Sequence, residues 1–234
     1  MSDSTSESAA NPSIQPTLAE RLDLVIFDCD GVLVDSEPLC NAVMAALVTD
    51  LGWPMPTQEA VDRFMGKSLP QCEQIIGSQL RLLGLAGLPS DFLARLAERT
   101  EAALTGQLQA VAGIEAVLNW LPLPYCVASN GNLKKMNFTL GLTGLLPRFA
   151  GRMHCAGDVA RPKPAPDLFL HAASVYGADP ARCVVIEDSA TGIQAARAAG
   201  MRALGYAAMT PAQRLIDAGA DVIFNKMSDL PGLL

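Results

Sequence analysis

The stretch VIFDCDGVLVDSE, residues Val25–Glu37, ends an apolar run abruptly in two acidic residues, Asp28 and Asp30, followed by a glycine. In an extended segment, residues i and i+2 face the same side, so both carboxylates would project together from the end of a strand. Like charges this close repel each other unless a cation or a shared proton lies between them. The pattern therefore predicts a strand end at which a divalent metal ion meets a phosphate group.

Apolar runs of this kind recur along the chain and alternate with helix-like segments. Strands that are apolar throughout, alternating with helices, are typical of a parallel sheet covered on both faces. We therefore predict an α/β fold with a doubly wound parallel sheet. The predicted strands are Leu24–Phe27, Tyr125–Ala128, Cys183–Ile186 and Ala203–Tyr206, with weaker candidates at Met153–Ala156 and Ala220–Phe224; the predicted helices are Asn132–Leu142, Pro166–Tyr176, Thr191–Ala199 and Pro211–Ala218.

One region interrupts the alternation. Between residues 36 and 110, apolar residues follow helical spacing and no convincing strand is found. We expect an all-helical cap domain over residues 36–110, inserted into a core domain formed by residues 18–35 and 111–234. Residues 1–17 are rich in Ser, Ala and Pro and contain no Lys or Arg, so we expect a disordered N-terminal tail rather than a signal peptide.

Composition excludes several classes of function. A net charge of −7 and a pI near 4.8 disfavour nucleic-acid binding, which needs clustered Lys and Arg, and no apolar run could span a bilayer. The six cysteines form no CxxC pair, which favours a reducing, cytoplasmic setting. We expect the protein to be a monomer. His154 and His171 have no cysteine or acidic partner at ligand spacing, so a zinc site is disfavoured and both are expected to be packing residues.

Polar clusters follow the predicted strands or lie in a loop beside them. In open parallel sheets, ligands bind beyond the carboxyl ends of the strands. Acids, a hydroxyl, an amide and a cation gathered there suit a phosphate and a metal ion. The clusters are Asp28 with Asp30, Ser129 with Asn130, Lys163 within Arg161–Pro164, and Glu187 with Asp188.

These clusters resemble, in order and spacing, the four signature motifs of the haloacid dehalogenase superfamily, in its branch with a helical cap after the first strand. The finer likeness is to sugar-phosphate phosphatases of the phosphogluconate phosphatase type. The resemblance implies a Rossmann-like core and a reaction in which Asp28 attacks phosphorus and Asp30 serves as general acid, then base. It implies Mg²⁺ as cofactor and a small phosphorylated metabolite as substrate. The implied site residues are Asp28, Asp30 (through its main-chain carbonyl), Glu187 and Asp188 for the metal, and Ser129, Asn130 and Lys163 for the phosphate. Lys67, in a turn of the expected cap, is a further candidate substrate contact, because cap loops close over the site.

Two alternatives share this scaffold. Phosphomutases of the beta-phosphoglucomutase type carry a histidine and an arginine at the positions that Cys40 and Leu69 occupy here. Without that arginine the cap lacks a fork to hold a second phosphate. A non-catalytic relative that binds phosphorylated ligands would also keep the fold. We therefore expect a Mg²⁺-dependent phosphomonoester hydrolase acting on a sugar phosphate or a phosphorylated sugar acid through an aspartyl-phosphate intermediate.

Overall fold

A computed structural model describes residues 22–65, 67 and 69–234 of the chain. The predicted N-terminal tail, residues 1–17, and Gly66 lie outside the described residues. Within the described part, no helix combines the length and the apolar character needed to cross a membrane.

Six parallel strands form one sheet in the order β3-β2-β1-β4-β5-β6. β1 and β4 occupy the centre, and every residue of both strands is buried. A strand buried on both faces has no polar side to present, which is why these segments read as unbroken apolar runs. The strands are β1 Leu24–Phe27, β2 Tyr125–Ser129, β3 Met153–Cys155, β4 Cys183–Glu187, β5 Arg202–Tyr206 and β6 Val222–Phe224.

Helices cover both faces of the sheet, as predicted. One face packs against α5, α6 and α7, and the other against α8, α9 and α10. The sequence reasoning did not identify α5 or α7, which are short. The helices are α1 Glu37–Asp50, α2 Thr57–Phe64, α3 Leu69–Leu82, α4 Phe92–Gln107, α5 Ile114–Trp120, α6 Leu133–Leu142, α7 Leu146–Phe149, α8 Asp167–Tyr176, α9 Ala190–Ala198 and α10 Ala212–Asp217.

Helices α1 to α4 follow one another without a strand and form what we call the helical insert, Glu37–Gln107. The insert has its own buried cluster, which includes Trp53, Phe64, Ile76 and Leu80 and is separate from the two clusters on the sheet. Where the chain enters and leaves the insert, the two backbone segments pair. Asp35 N donates to the carbonyl of Gln109 at 2.9 Å, and Val111 N donates to the carbonyl of Leu33 at 3.0 Å.

The separate cluster of the insert predicts that two leucines of α3 contribute very differently to the free energy of unfolding. Leu80 is fully buried, whereas Leu82 is 81% exposed. Leu80→Ala should lower the free energy of unfolding by about 2–5 kcal/mol, because it removes buried methyl groups and leaves a cavity. The matched change Leu82→Ala should stay within about 0.5 kcal/mol of wild type. Urea denaturation followed by circular dichroism measures both, and equal losses would contradict the packing of α3.

Candidate functional site

The site lies where the order of the strands reverses. From β1 the chain continues to β2 on one side, while β4 lies on the other side of β1. The crevice at such a switch point, beyond the carboxyl ends of the strands, is where open α/β sheets bind ligands. Asp28 directly follows β1, Glu187 ends β4, and Asp188 follows it. The topology therefore brings Asp28 together with the acid pair Glu187 and Asp188, which lies far from it in sequence.

These acids form a compact cluster with a lysine. One carboxylate oxygen from each of Asp28, Glu187 and Asp188 lies within 4.8 Å of the other two. The ammonium of Lys163 donates to Asp28 Oδ1 at 2.7 Å and to Glu187 Oε1 at 2.6 Å. The side chains of Lys163 and Glu187 are 3% and 0% exposed, so the pair is shielded from solvent. Residues from three of the predicted clusters therefore meet at one point.

Ser129 and Asn130, at the end of the neighbouring strand β2, support this cluster. Asn130 exchanges two hydrogen bonds with the backbone of Lys163: Nδ2 donates to the carbonyl at 3.0 Å, and Oδ1 accepts from the amide at 2.9 Å. Its amide thus fixes the loop that presents the lysine. Ser129 is buried, and its Oγ accepts from Gly131 N at 3.1 Å.

Asp30 lies in the same crevice but makes different contacts. Its Oδ1 accepts from Ser36 Oγ at 2.9 Å, and its Oδ2 accepts from Lys135 Nζ at 2.6 Å. Burial acts to lower the pKa of Lys135, but Asp30 more than offsets this and raises it above its usual value. Lys135 was not among the candidate site residues, because its position on α6 gives no sign in the sequence that it reaches Asp30.

Two glycines allow the acids to approach the backbone. Gly31 has a φ of +74°, and a Cβ there would overlap the Asp188 carboxylate. A Cβ on Gly192 would overlap the Glu187 carboxylate. Glu187 Oε2 also accepts hydrogen bonds from the backbone N and the Oγ of Ser189, at 3.0 and 2.8 Å. Ser189 Oγ in turn accepts from Gly192 N at 3.1 Å, so Ser189 caps the N-terminus of α9.

The charges of the cluster fit a divalent cation. Burial raises the pKa of Asp28 to about 7, although Lys163 acts in the opposite direction. Burial, together with Glu187 and Asp28, raises the pKa of Asp188 well above its usual range. Both shifts show that negative charge is costly here, and a cation bound among the oxygens would relieve that cost. An all-oxygen donor set with adjacent acids suits Mg²⁺.

A cleft of about 440 Å³ opens from this cluster toward the helical insert. Asp28, Asp30 and Asp188 line the cleft. Lys67 also lines it and is exposed, and its role as a substrate contact stays a prediction. Arg214 of α10 also lines the cleft, and its Nη1 donates to the carbonyl of Met65 at 3.2 Å. Arg214 was not predicted, because α10 follows the last of the four motifs.

The expectation that the two histidines lack an acidic partner is wrong. One ligand atom from each of His154, His171 and Asp158 lies within 4.8 Å of the others. Asp158 is only four residues from His154, but His171 reaches the pair because α8 packs against β3. Sequence spacing alone does not show that contact.

The close approach of Asp188 to Gly31 predicts that alanine substitution at two glycines of equal φ lowers the free energy of unfolding by different amounts. Gly31 and Gly144 both have a φ of +74°, but no atom lies within 4 Å of the Cβ position at Gly144. Gly144→Ala should lower the free energy of unfolding by about 1 kcal/mol through backbone strain alone. Gly31→Ala should lose a further 1–3 kcal/mol or so, because Asp188 must move. Urea denaturation of both variants gives the comparison; equal losses would mean that Asp188 does not occupy that space.

Comparison with known proteins places these features in a family. The family model of haloacid dehalogenase-like hydrolases matches residues 22–200. The 6-phosphogluconate phosphatase of Escherichia coli is 30% identical over 91% of this chain and 95% of its own. A haloacid dehalogenase-like protein from Agrobacterium tumefaciens is 37% identical, with a TM-score of 0.84 over 91% of this chain and 97% of its own. A hydrolase of the family from Deinococcus radiodurans, solved with bound phosphate and sodium, is 31% identical, with a TM-score of 0.79 over 91% and 95% of the two chains. This chain belongs to the haloacid dehalogenase-like hydrolase family.

Proposed function

We propose that this protein is a Mg²⁺-dependent phosphatase that hydrolyses a small phosphorylated metabolite, with Asp28 as the nucleophile. The observation that carries the proposal is the convergence of Asp28, Glu187, Asp188 and Lys163 at the switch point of the sheet. The likeness to a named phosphatase and to a relative solved with phosphate supports it.

The residues that would hold Mg²⁺ are Asp28, Glu187 and Asp188, with the main-chain carbonyl of Asp30 as a further donor. A bare carboxylate that approaches a phosphate dianion meets repulsion of about 8 kcal/mol at ~4 Å in an intermediate dielectric, because each unit of charge on the phosphate contributes about 4 kcal/mol. When bound, the cation supplies the positive charge that removes this repulsion and polarises the phosphoryl oxygens. Lys163 adds a second positive charge against the same oxygens.

The first step uses the free oxygen of Asp28. Lys163 binds Oδ1, and among the described residues no hydrogen bond involves Oδ2. Oδ2 attacks phosphorus, the bond to the leaving alcohol breaks, and the phosphoryl group is carried on Asp28 as an acyl-phosphate. This divides one difficult displacement into two easier ones.

Asp30 moves the protons in both steps. It gives a proton to the departing alcohol oxygen and later takes one from the water that cleaves the acyl-phosphate, which releases phosphate and restores Asp28. Ser36 and Lys135 hold its two carboxylate oxygens at 2.9 and 2.6 Å.

The cleft favours an anionic substrate. Lys67 and Arg214 place two cations in the lining of the cleft. A carboxylate or hydroxyl group of the substrate would accept hydrogen bonds from these two side chains while its phosphate lies at Asp28. We therefore propose a phosphorylated sugar or sugar acid, in keeping with the 6-phosphogluconate phosphatase among the relatives.

We also propose that residues 36–110 act as a cap domain over a core of residues 18–35 and 111–234. The separate cluster of the insert and its paired entry and exit segments support this division. The residues at positions 40 and 69, Cys40 and Leu69, give no support to the phosphomutase alternative, since neither can bind a second phosphate. The six cysteines are all free, which agrees with the proposed cytoplasmic setting; the monomeric state stays a prediction.

Phosphate release tests the proposed function. The EDTA-treated chain should be inactive on a panel of phosphorylated sugars and sugar acids, and added Mg²⁺ should restore release of inorganic phosphate. Asp28→Asn should lower turnover by roughly 10³-fold or more, because an amide is a poor nucleophile. Metal-free turnover, or an active Asp28→Asn variant, would refute the mechanism. Conversion of glucose 1-phosphate to glucose 6-phosphate without phosphate release would establish the mutase instead.

The leaving group tests the role of Asp30. Asp30→Asn should slow hydrolysis of sugar phosphates by about 10²–10⁴-fold, because no proton reaches the alcohol. Aryl phosphates, whose leaving groups need no proton, should suffer less in single-turnover measurements of the first step. The control Asp62→Asn, at an exposed position on α2, should match wild type on both substrates. Equal losses on aryl and sugar phosphates would exclude Asp30 as the general acid.

A further inference from the structure

A second cluster of metal-ligand side chains lies at the edge of the sheet beside β3. His154 is the middle residue of β3, and its ring packs edge-on against His171 of α8, with ring centroids 5.3 Å apart. Tyr176, also on α8, packs against the same ring at 6.2 Å. The strand and the helix thus hold the two imidazoles of the chain together.

An aspartate completes the cluster. Asp158 ends the 3-10 helix Ala156–Asp158 that follows β3, and its Oδ2 accepts from the backbone N of Cys155 at 2.7 Å. One nitrogen from each imidazole and one oxygen of Asp158 lie within 4.8 Å of one another. Ligands bound to one zinc ion at about 2.1 Å lie at most ~4.2 Å apart, so small side-chain rotations would close the set on an ion.

The buried imidazole has an unsatisfied nitrogen. His154 is 5% exposed, and its Nε2 is buried without a hydrogen-bond partner. A buried polar atom without a partner is rare, because its hydration is lost and nothing replaces it. Burial, with His171 nearby, lowers the pKa of His154. A neutral imidazole nitrogen without a hydrogen bond has a lone pair that a metal ion can bind.

We propose that His154, Asp158 and His171 form a second metal site, one for a transition-metal cation of the zinc class. Two imidazoles and a carboxylate select zinc-like ions, whereas the all-oxygen cluster at Asp28 selects Mg²⁺. Asp158 is exposed, so solvent can supply a fourth ligand. The hydrogen bond from Cys155 N orients the carboxylate, as outer-shell contacts commonly do in metal sites.

The position of this site gives it a structural consequence. Asp158 precedes the loop that presents Lys163, and His171 lies on the helix that follows this loop. An ion held by both residues ties the start of the loop to α8. It would stabilise the loop segment on which the Lys163 contacts depend, independently of whether the protein is a phosphatase.

The chain contains only two histidines, which makes the experiment specific. The EDTA-treated full chain is titrated with Zn²⁺ in excess Mg²⁺, and the imidazole resonances are followed by NMR. Both imidazoles should shift together and saturate at one equivalent of Zn²⁺. The His171→Asn variant keeps one histidine, so its single remaining signal assigns both resonances. His171→Asn and Asp158→Asn should each weaken Zn²⁺ binding at least tenfold.

Two control variants distinguish binding at this site from binding at a surface carboxylate or at the acidic cluster around Asp28. Asp217→Asn, an exposed aspartate on α10, should bind Zn²⁺ as wild type does, and so should Asp188→Asn, which removes an oxygen ligand from the acidic cluster. Circular dichroism of the metal-free variants checks that each remains folded. The proposal would be overturned if the imidazole resonances did not shift when Zn²⁺ is added, or if the Asp158→Asn variant bound Zn²⁺ as tightly as wild type. So would loss of binding in Asp188→Asn.

Discussion

The buried ammonium of Lys163, held between Asp28 and Glu187, is the interaction on which the site depends. Two carboxylates removed from water at the end of a central sheet would repel each other, and the lysine provides the compensating charge. Removing one partner of such a buried group typically costs about 3–5 kcal/mol, because the remaining charge stays uncompensated. Asn130 holds the backbone of Lys163 through both halves of its amide, so a neutral side chain sets where the positive charge lies.

The central sheet and this cluster were predictable because their causes are local. A strand buried on both faces must be apolar throughout, so β1 and β4 are visible in the sequence. Acids directly after such strands must meet at the carboxyl edge. The contacts of Lys135 with Asp30, of Arg214 with the cleft, and of His154 with His171 depend on how helices pack. Nothing in the spacing of the sequence reports that packing.

The two clusters of ligand atoms differ in their donor chemistry and in their place in the sheet. At the switch point, three acids lie at the ends of central strands and offer carboxylate oxygens as ligands beside a buried lysine. At the edge strand β3, imidazoles meet across a strand and a helix, with one acid from the adjoining turn. Hard and borderline cations prefer different donors, so the donor chemistry keeps the two clusters distinct.

The paired backbone segments at the base of the helical insert carry a consequence for how such proteins diversify. The chain enters the insert at Asp35 and leaves it at Gln109, and these two residues lie side by side. With respect to the sheet, the whole insert is therefore equivalent to a long surface loop. Lengthening such a loop adds little closure entropy, since the cost grows only with the logarithm of its length. Helices of other shapes and sizes can therefore replace α1 to α4 during evolution while the strands and their acids keep the same registry. If the insert is the proposed cap, such a replacement would change the residues that contact the substrate and leave Asp28 and Asp188 in place.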